Sequence, residues 1–326
     1  MSLRLAADIV TRANEVVARH LAPTPLRPSL AAPGRELLLK LECWQPTGSF
    51  KVRGALNLLS SLSPAERARG VVAASAGNHA LGVAFAAARL GDVHATLFVP
   101  ESAPRAKVDK LRRFPVEVRE TGGTYDDAVL AAQEFERQSG AVFVHAYDDV
   151  RTAAGQGTVA LELLQQCPAP AAVLVPVGGG GLIAGVATVL KAHSPRTRIV
   201  ALQPAASPAL AESLRLGRAL LTYPAGPTLA DGLAGGIGEI AYEHRDLIDD
   251  VVTVAEEEIE AAIVALLAGD QLVVEASGAV GVAAVRAGQL RDPGPGPIVA
   301  VVTGGNIDVR VLGRLIARHA GEAAPA

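Results

Sequence analysis

The chain has 326 residues, half of them hydrophobic, with 30 Lys plus Arg against 33 Asp plus Glu and a formal net charge of -3 at pH 7. So even a balance excludes a chain drawn as a whole to nucleic acid or to an anionic membrane, and it points to a small partner. The length suits about two domains, with core enough to need neither disulfides nor a structural metal, and no apolar run approaches the roughly 18 residues of a membrane-spanning helix.

In chain order, the opening MSLRLAADIVTRANEVVARH sets Asp8, Arg12, Glu15 and Arg19 among apolar residues at helical spacing. It lacks the apolar block of a secretory signal, so a cytoplasmic location is expected. Nine strands are predicted: RELLLKLE from Arg35, VVAAS from Val71, HATLFVP from His94, VEVRE from Val116, AVFVH from Ala141, AAVLVPV from Ala171, RIVALQP from Arg198, DVVTVA from Asp250 and PIVAVVT from Pro297. Between them, NHALGVAFAAARLG, TYDDAVLAAQEFERQSG, TVALELLQQC and IAGVATVLKAH repeat apolar residues every three or four positions, as helices do. Strands apolar at nearly every position and alternating with helices imply an α/β fold of open, doubly wound, mostly parallel sheets covered on both faces. RDPGPGP from Arg291 reads as a turn before the last strand, and the tail GEAAPA is expected to be disordered. Cys43 and Cys167 stand far apart in no CxxC arrangement and read as buried thiols.

Lysine is scarce, with five against twenty-five arginines. Lys40, Lys107, Lys110 and Lys191 read as solvated. Lys51 follows Pro46-Thr47-Gly48-Ser49-Phe50, a turn-rich approach with an N-cap candidate at Thr47 or Ser49, which places the lysine in the first turn of a helix. The helix dipole disfavours an ammonium there. By itself the position favours an ordinary surface lysine; a functional one would have a lowered pKa, as Schiff-base chemistry with an aldehyde requires.

Gly178-Gly179-Gly180-Gly181-Leu182 lies between a buried strand and a helix. A tight connection needs one or two glycines; four, aiming consecutive N–H groups beside a helix N-terminus, favour a phosphate cradle. Gly179, Gly181 and Ala184 also satisfy the loose dinucleotide spacing, but the next strand ends at Gln203 where a ribose-binding acid would stand, which disfavours NAD. A nucleotide-hydrolysing phosphate loop, a serine-hydrolase elbow and an HExxH zinc pair are all missing from the sequence. Ser75-Ala76-Gly77-Asn78-His79 and Thr303-Gly304-Gly305-Asn306 each follow a strand and open a helix, where α/β sheets place ligands.

In this order, PTGSFKVRGA, SAGNHALG, VGGGGLIAG and TGGNID resemble the fold type II pyridoxal-phosphate enzymes, and their spelling resembles the threonine and serine dehydratase branch, to which serine racemases are similar. The motifs span residues 46 to 308, and TPL from Thr24 and TLADGLA from Thr228 extend the likeness. The resemblance implies that Lys51 holds the cofactor as a Schiff base, with Phe50 against one face of the ring and Gly232 on the other. It implies that Asn78 meets the ring hydroxyl, that Gly178, Gly179, Gly180, Gly181 and Leu182 cradle the phosphate, and that Thr303 meets the ring nitrogen. Ser75, Asn78 and His79 would receive the substrate carboxylate. A large domain of residues 1–62 and 147–326 would carry the cofactor, and a small inserted domain, 63–146, would close over the substrate. A homodimer is the family default, and the chain ends too soon after the last motif for a C-terminal regulatory domain.

The implied activity is a pyridoxal-phosphate-dependent ammonia-lyase acting on L-threonine, L-serine or a related 3-hydroxy amino acid, with no metal needed for the chemistry. Ala76 stands where the family's racemases carry a second serine, and Gln203 and Ala209 stand where they carry a divalent-ion pair, so neither racemisation nor that ion site is expected. Thr303 replaces the commoner serine and keeps its hydroxyl, while Trp44 stands where Asp or Asn is usual. The alternatives are β-replacement or racemase chemistry on the same fold, a nicotinamide-dependent oxidoreductase, and a non-catalytic carrier of pyridoxal phosphate.

Overall fold

Valine, alanine and leucine runs that are hydrophobic on both faces need cover on both faces, and the chain supplies it with helices. The computed structural model describes residues 3–32, 36–292 and 294–319; the first residue of the RELLLKLE prediction, one residue of RDPGPGP and the tail GEAAPA lie outside them. The elements run α1 (Ala7–Val17), β1 (Leu26–Pro28), β2 (Leu37–Lys40), α2 (Lys51–Ser60), α3 (Pro64–Arg69), β3 (Val71–Ala74), α4 (Asn78–Leu90), β4 (Ala95–Val99), α5 (Arg105–Leu111), β5 (Glu117–Glu120), α6 (Tyr125–Ser139) and β6 (Val142–Phe143). There follow α7 (Val150–Gln166), β7 (Ala172–Pro176), α8 (Gly181–His193), β8 (Arg198–Pro204), α9 (Ala209–Leu216), α10 (Glu239–Glu243), β9 (Asp250–Val254), α11 (Glu256–Asp270), α12 (Ala276–Arg286), β10 (Ile298–Val301) and α13 (Val309–His319).

Each of the nine predicted strands forms. They make two sheets, one ordered β1-β2-β10-β7-β8-β9 and the other β5-β4-β3-β6, in which every pairing but β1 with β2 is parallel. The expected doubly wound α/β architecture is therefore present. The added strand, β1, is three residues long and ends in Pro28, too short for any periodicity to show.

Four local expectations need correction. The predicted helix from Thr158 begins eight residues earlier, at Val150, where the Asp149 carboxylate accepts from the N–H groups of Arg151 and Thr152. Neither Thr47 nor Ser49 caps α2: Phe50 holds that position, and Ser49 instead bridges to Gly304. Lys40, expected in solvent, is fully buried, because β2 is covered by helices; its Nζ donates to Glu162 Oε2 at 2.7 Å and to the Thr24 carbonyl. Lys191 also is mostly covered, paired with Asp249 at 2.6 Å. Cys43 and Cys167 are buried free thiols, as expected.

Helix α2, which Lys51 opens, lies at the seam. Its Val52, Leu56 and Leu59 share one hydrophobic cluster with Val71, Val83 and Leu97 of the four-stranded sheet and its helices. Its other face meets α7, where a Cβ on Gly155 would stand 2.6 Å from Gly54 Cα.

Candidate active site

Three loops at the carboxyl ends of parallel strands converge: residues after β3, after β7 and after β10. This is where an open α/β sheet binds ligands. The segment before Lys51 runs alongside the last of these loops, with Phe50 N donating to the Thr303 carbonyl at 3.1 Å and Gly305 N to the Gly48 carbonyl at 2.9 Å. That pairing fixes Lys51 next to Thr303. Lys51 Nζ donates to the Ala146 carbonyl at 2.9 Å and lies 5.2 Å from the centre of the Phe50 ring. Burial pushes its amine down to about 8, opposed by the charge of Glu275.

The glycine turn opens α8 through Gly180, whose φ of 89° belongs to the left-handed region. Gly179 and Gly178 are required by close approach, since a Cβ would stand 2.2 Å from the Tyr147 ring at the first and 2.5 Å from the Gly232 carbonyl at the second. The N–H groups from Gly178 to Leu182, with Gly180 and Gly181 between, find no acceptor among the described residues. Consecutive free N–H groups at a helix N-terminus suit a phosphate.

On the other side, α4 starts at Asn78. The N–H groups of Asn78, His79 and Ala80 likewise find no acceptor among the described residues, and Ser75 Oγ accepts from Gly77 N at 3.1 Å. The Asn78 amide is held at both ends: its Oδ1 accepts from Asn306 Nδ2, and its Nδ2 donates to Glu275 Oε1, each at 2.7 Å. One Nδ2 hydrogen is left over. The His79 imidazole is turned away, with Nε2 bonded to the Val144 carbonyl at 2.8 Å, and burial pushes its pKa down to about 3. The ring is therefore neutral, and what His79 can offer an anion is its backbone N–H.

These positions form one ring of contacts. Lys51 meets Ala146, whose neighbour Tyr147 covers Gly179; Gly178 abuts Gly232, Gly232 abuts Ser277, and Ser277 accepts through its carbonyl from Thr303 Oγ1 at 3.3 Å. Of the residues expected from the sequence, Lys51, Gly178, Gly179, Gly232 and Thr303 belong to this ring and Phe50 joins it through Thr303, while Asn78 is tied to Glu275 and Asn306 and the His79 side chain faces away. Gln203 spends its buried amide on the N–H groups of Leu210 and Ala211.

Sequence reasoning did not foresee Ala146, Tyr147 and Ser277 in this ring, nor Glu275, which accepts from Asn78 beside it. Burial first, then repulsion by Asp231, raises the Glu275 carboxyl to about 7 against the hydrogen bond from Asn78. A signal for it does exist, because Glu275 is the single charged residue between Gln271 and Val285 in an otherwise apolar and small run.

The model of the pyridoxal-phosphate dependent enzyme family matches residues 17–304. The L-threonine ammonia-lyase of Geobacter sulfurreducens is 46% identical over 288 residues, covering 87% of this chain and 71% of that protein. The catabolic L-threonine dehydratase of Escherichia coli is 40% identical over 277 residues, 84% of each chain. Among solved structures, maize serine racemase superposes with a TM-score of 0.90 at 33% identity, covering 97% of this chain and 98% of that one. The residues fit the family's cofactor on their own geometry, with a lysine of lowered pKa for its aldehyde, free N–H groups for its phosphate and hydroxyls between the two loops that would flank its ring. A match of this extent, over a site so disposed, places the chain in the pyridoxal-phosphate dependent enzyme family.

Proposed function

We propose that the protein is an ammonia-lyase that converts L-threonine, L-serine or a related 3-hydroxy amino acid such as 3-hydroxyaspartate to a 2-oxo acid and ammonia, by removal of the α-proton and elimination of the β-hydroxyl. The observation that carries this reading is the Lys51 amine, lowered to about 8 and placed between the glycine cradle and the free N–H groups of α4. Bound pyridoxal phosphate supplies the electron sink that makes the α-proton of an amino acid labile. This chain's residues do the rest. Lys51 exchanges its proton near neutral pH, as a general base must. Gly178 to Leu182 hold the phosphate, Phe50 and Gly232 confine the ring, Thr303 meets the ring-nitrogen edge, and the spare Nδ2 hydrogen of Asn78 serves the ring hydroxyl. Ser75 and the N–H groups of Asn78 and His79 orient the substrate carboxylate. The identities of 46% and 40% to a threonine ammonia-lyase and a threonine dehydratase support the substrate class. Racemisation is left out, because Ala76 offers only a methyl group where a second base would be needed.

In the same reading residues 63–146 close over the substrate and exclude water, against a body made of 1–62 and 147–326. Two contacts across the cleft support it: Lys107 Nζ lies 3.3 Å from Asp231 Oδ2, beside Gly232, and Lys110 Nζ lies 3.4 Å from Asn306 Oδ1. The enzyme acts as a cytoplasmic homodimer, to be checked by sedimentation and cell fractionation. The deciding experiment measures 2-oxo acid release from L-threonine, L-serine, the 3-hydroxyaspartate diastereomers and their D-forms. Turnover of one L-substrate, abolished in Lys51→Ala, is the expected result; turnover that survives Lys51→Ala, or silence across the panel, overturns the reading.

A further inference from the structure

A side-chain amide fits its density of neighbours either way round, so which end donates follows only from neighbours that can solely donate or solely accept. Asn306 has one of each. The Thr47 carbonyl, an acceptor alone, takes a bond from Asn306 Nδ2 at 2.8 Å, and the Lys110 ammonium, a donor alone, gives one to Asn306 Oδ1 at 3.4 Å. With Asn306 fixed in this way, its Nδ2 must also meet an acceptor on Asn78, which is Oδ1 at 2.7 Å. The Asn78 Nδ2 is therefore turned towards Glu275 Oε1, again at 2.7 Å. The polarity of the relay from Lys110 through Asn306 and Asn78 to Glu275 is set by its ends.

The backbone makes room for this arrangement. A Cβ on Gly304 would stand 2.2 Å from Glu275 Oε1 and 3.3 Å from Asn78 Nδ2, and a Cβ on Gly48 would stand 2.9 Å from the Asn306 amide. Glu275 N donates to the Gly304 carbonyl at 3.1 Å, which fastens the start of α12 to the loop after β10. The charge of Glu275 reaches the Lys51 amine. The groups around the carboxyl are mixed: Asp231 repels its charge, Lys107, the Asn78 amide and the Asn306 N–H favour it, and Cys43 beside it stays a neutral thiol. Burial outweighs the favourable contacts and pushes the carboxyl up to about 7.

We propose that Glu275 is a positioning residue for bound pyridoxal phosphate: acting through Asn78, it aims the spare Nδ2 hydrogen at the ring hydroxyl, and its ionisation makes that contact respond to pH. The inference rests on the cofactor reading given above and adds to it a residue and a pH response. A neutral Glu275 places no charge near the ring hydroxyl, whereas an ionised one opposes negative charge there. The visible absorption of the cofactor depends on the state of that hydroxyl, so it reports the change. A carboxyl that served only to fill space or to hold the fold would leave the absorption untouched.

The test compares wild type, Glu275→Gln and Glu275→Ala as full-length proteins, freed of cofactor and titrated with pyridoxal phosphate while the visible absorption is followed across neutral pH. Thermal melting without cofactor is measured alongside. Wild type is expected to show a step in absorption near neutral pH. Glu275→Gln keeps an oxygen for Asn78 but has no proton to lose, so it should bind the cofactor as wild type does and show no step. Glu275→Ala leaves Asn78 Nδ2 without its acceptor and should bind about tenfold more weakly, the upper end of what one neutral hydrogen bond is worth. A step that persists in Glu275→Gln overturns the proposal, as does wild-type affinity in Glu275→Ala or an equal loss of affinity in both variants. Should Glu275→Ala fail to fold, the spectrum of Glu275→Gln decides. A wild type that binds pyridoxal phosphate without any step overturns this inference alone; a wild type that does not bind it overturns the cofactor reading as well.

Discussion

Helices α7 and α6 are of similar length and belong to the two sheets, yet they are packed in opposite ways. α7 buries nearly every residue from Thr152 to Leu163, wedged between α2 and α8, where a Cβ on Gly157 would stand 2.9 Å from Gly185 Cα. α6 fully buries only Ala128 and Ala132, half-buries Val129, Ala131 and Phe135 against the four-stranded sheet, and leaves its other face to solvent, with Leu130 64% exposed. One helix is the keel between the lysine helix and the helix that follows the glycine turn; the other is a cover on the far side of the four-stranded sheet. Packing is spent where groups must be held to within fractions of an ångström, and a region with few buried contacts is where local opening is cheapest. Each of the following measurements breaks or sharpens that contrast.

The largest effect is expected at Arg53, two residues after Lys51. Its guanidinium is fully buried and forked between two carboxylates, with bonds of 2.7 and 2.8 Å to Glu42 and of 2.7 and 2.8 Å to Glu162 on α7, while Thr158 accepts a further bond at 3.0 Å. Burial would raise the Glu42 carboxyl, and Arg53 nonetheless holds it below the ordinary range. Arg53→Met leaves the buried Glu42 carboxylate without its cation and Glu162 with Lys40 alone, and is expected to cost about 3–5 kcal/mol in denaturant unfolding. Arg119→Met, which breaks an exposed pair with Glu117 on the four-stranded sheet, is expected to cost less than about 1 kcal/mol. Equal losses would erase the contrast.

The second prediction concerns Glu275, which joins the two sides by accepting from Asn78. Its folded pKa of about 7 lies above the ordinary 4.5, so the folded state holds the proton more tightly than the unfolded chain does. The resulting stabilisation is complete below about 4.5 and is lost as the pH rises through about 7, a span worth roughly 3 kcal/mol. Wild type should therefore lose stability relative to Glu275→Gln between about pH 4.5 and pH 8. A constant difference across that range would mean that the carboxyl is not held protonated by its surroundings.

The parts that were legible in the sequence and the parts that were not divide along physical lines. Buried parallel strands are continuous apolar runs, and tight loops whose N–H groups are left without an acceptor are built from glycine and small residues, so β7, Gly178 to Gly181 and Ser75 to Asn78 announce themselves. Strand β1 does not, because its three residues are held only by pairing with β2. Lys40 looks like any strand lysine until Glu162, 122 residues away, arrives beneath it. Ser277 and Glu275 acquire meaning only when the start of α12 meets Gly304. Thr47 and Ser49 have the chemistry of caps, but Ser49 bridges to Gly304 and the Thr47 carbonyl accepts from Asn306 instead.

A smaller effect is expected from adding one methyl group at the helix crossings. Gly185→Ala forces a Cβ to 2.4 Å from the Ala153 carbonyl and should cost about 1–3 kcal/mol, the range for overpacking a rigid core. Gly123→Ala, on the loop leading into α6, meets nothing within 4 Å at an ordinary φ and should be close to neutral. Melting temperatures of the two variants compare keel and cover directly.

The smallest effect belongs to the cover alone. α6 begins with a reciprocal cap, in which Thr124 Oγ1 accepts from Asp127 N at 3.2 Å and the Asp127 carboxylate accepts from Thr124 N at 2.9 Å. Thr124→Ala removes one half of it, a loss of about 1 kcal/mol. Because α6 is anchored by so few buried residues, that loss should appear as local opening: hydrogen exchange of α6 amides should quicken about fivefold, while those of α7 keep their wild-type rates. Were α7 amides to quicken in step, the two helices would open as one unit, and the division between a rigid keel and a separately yielding cover would be wrong.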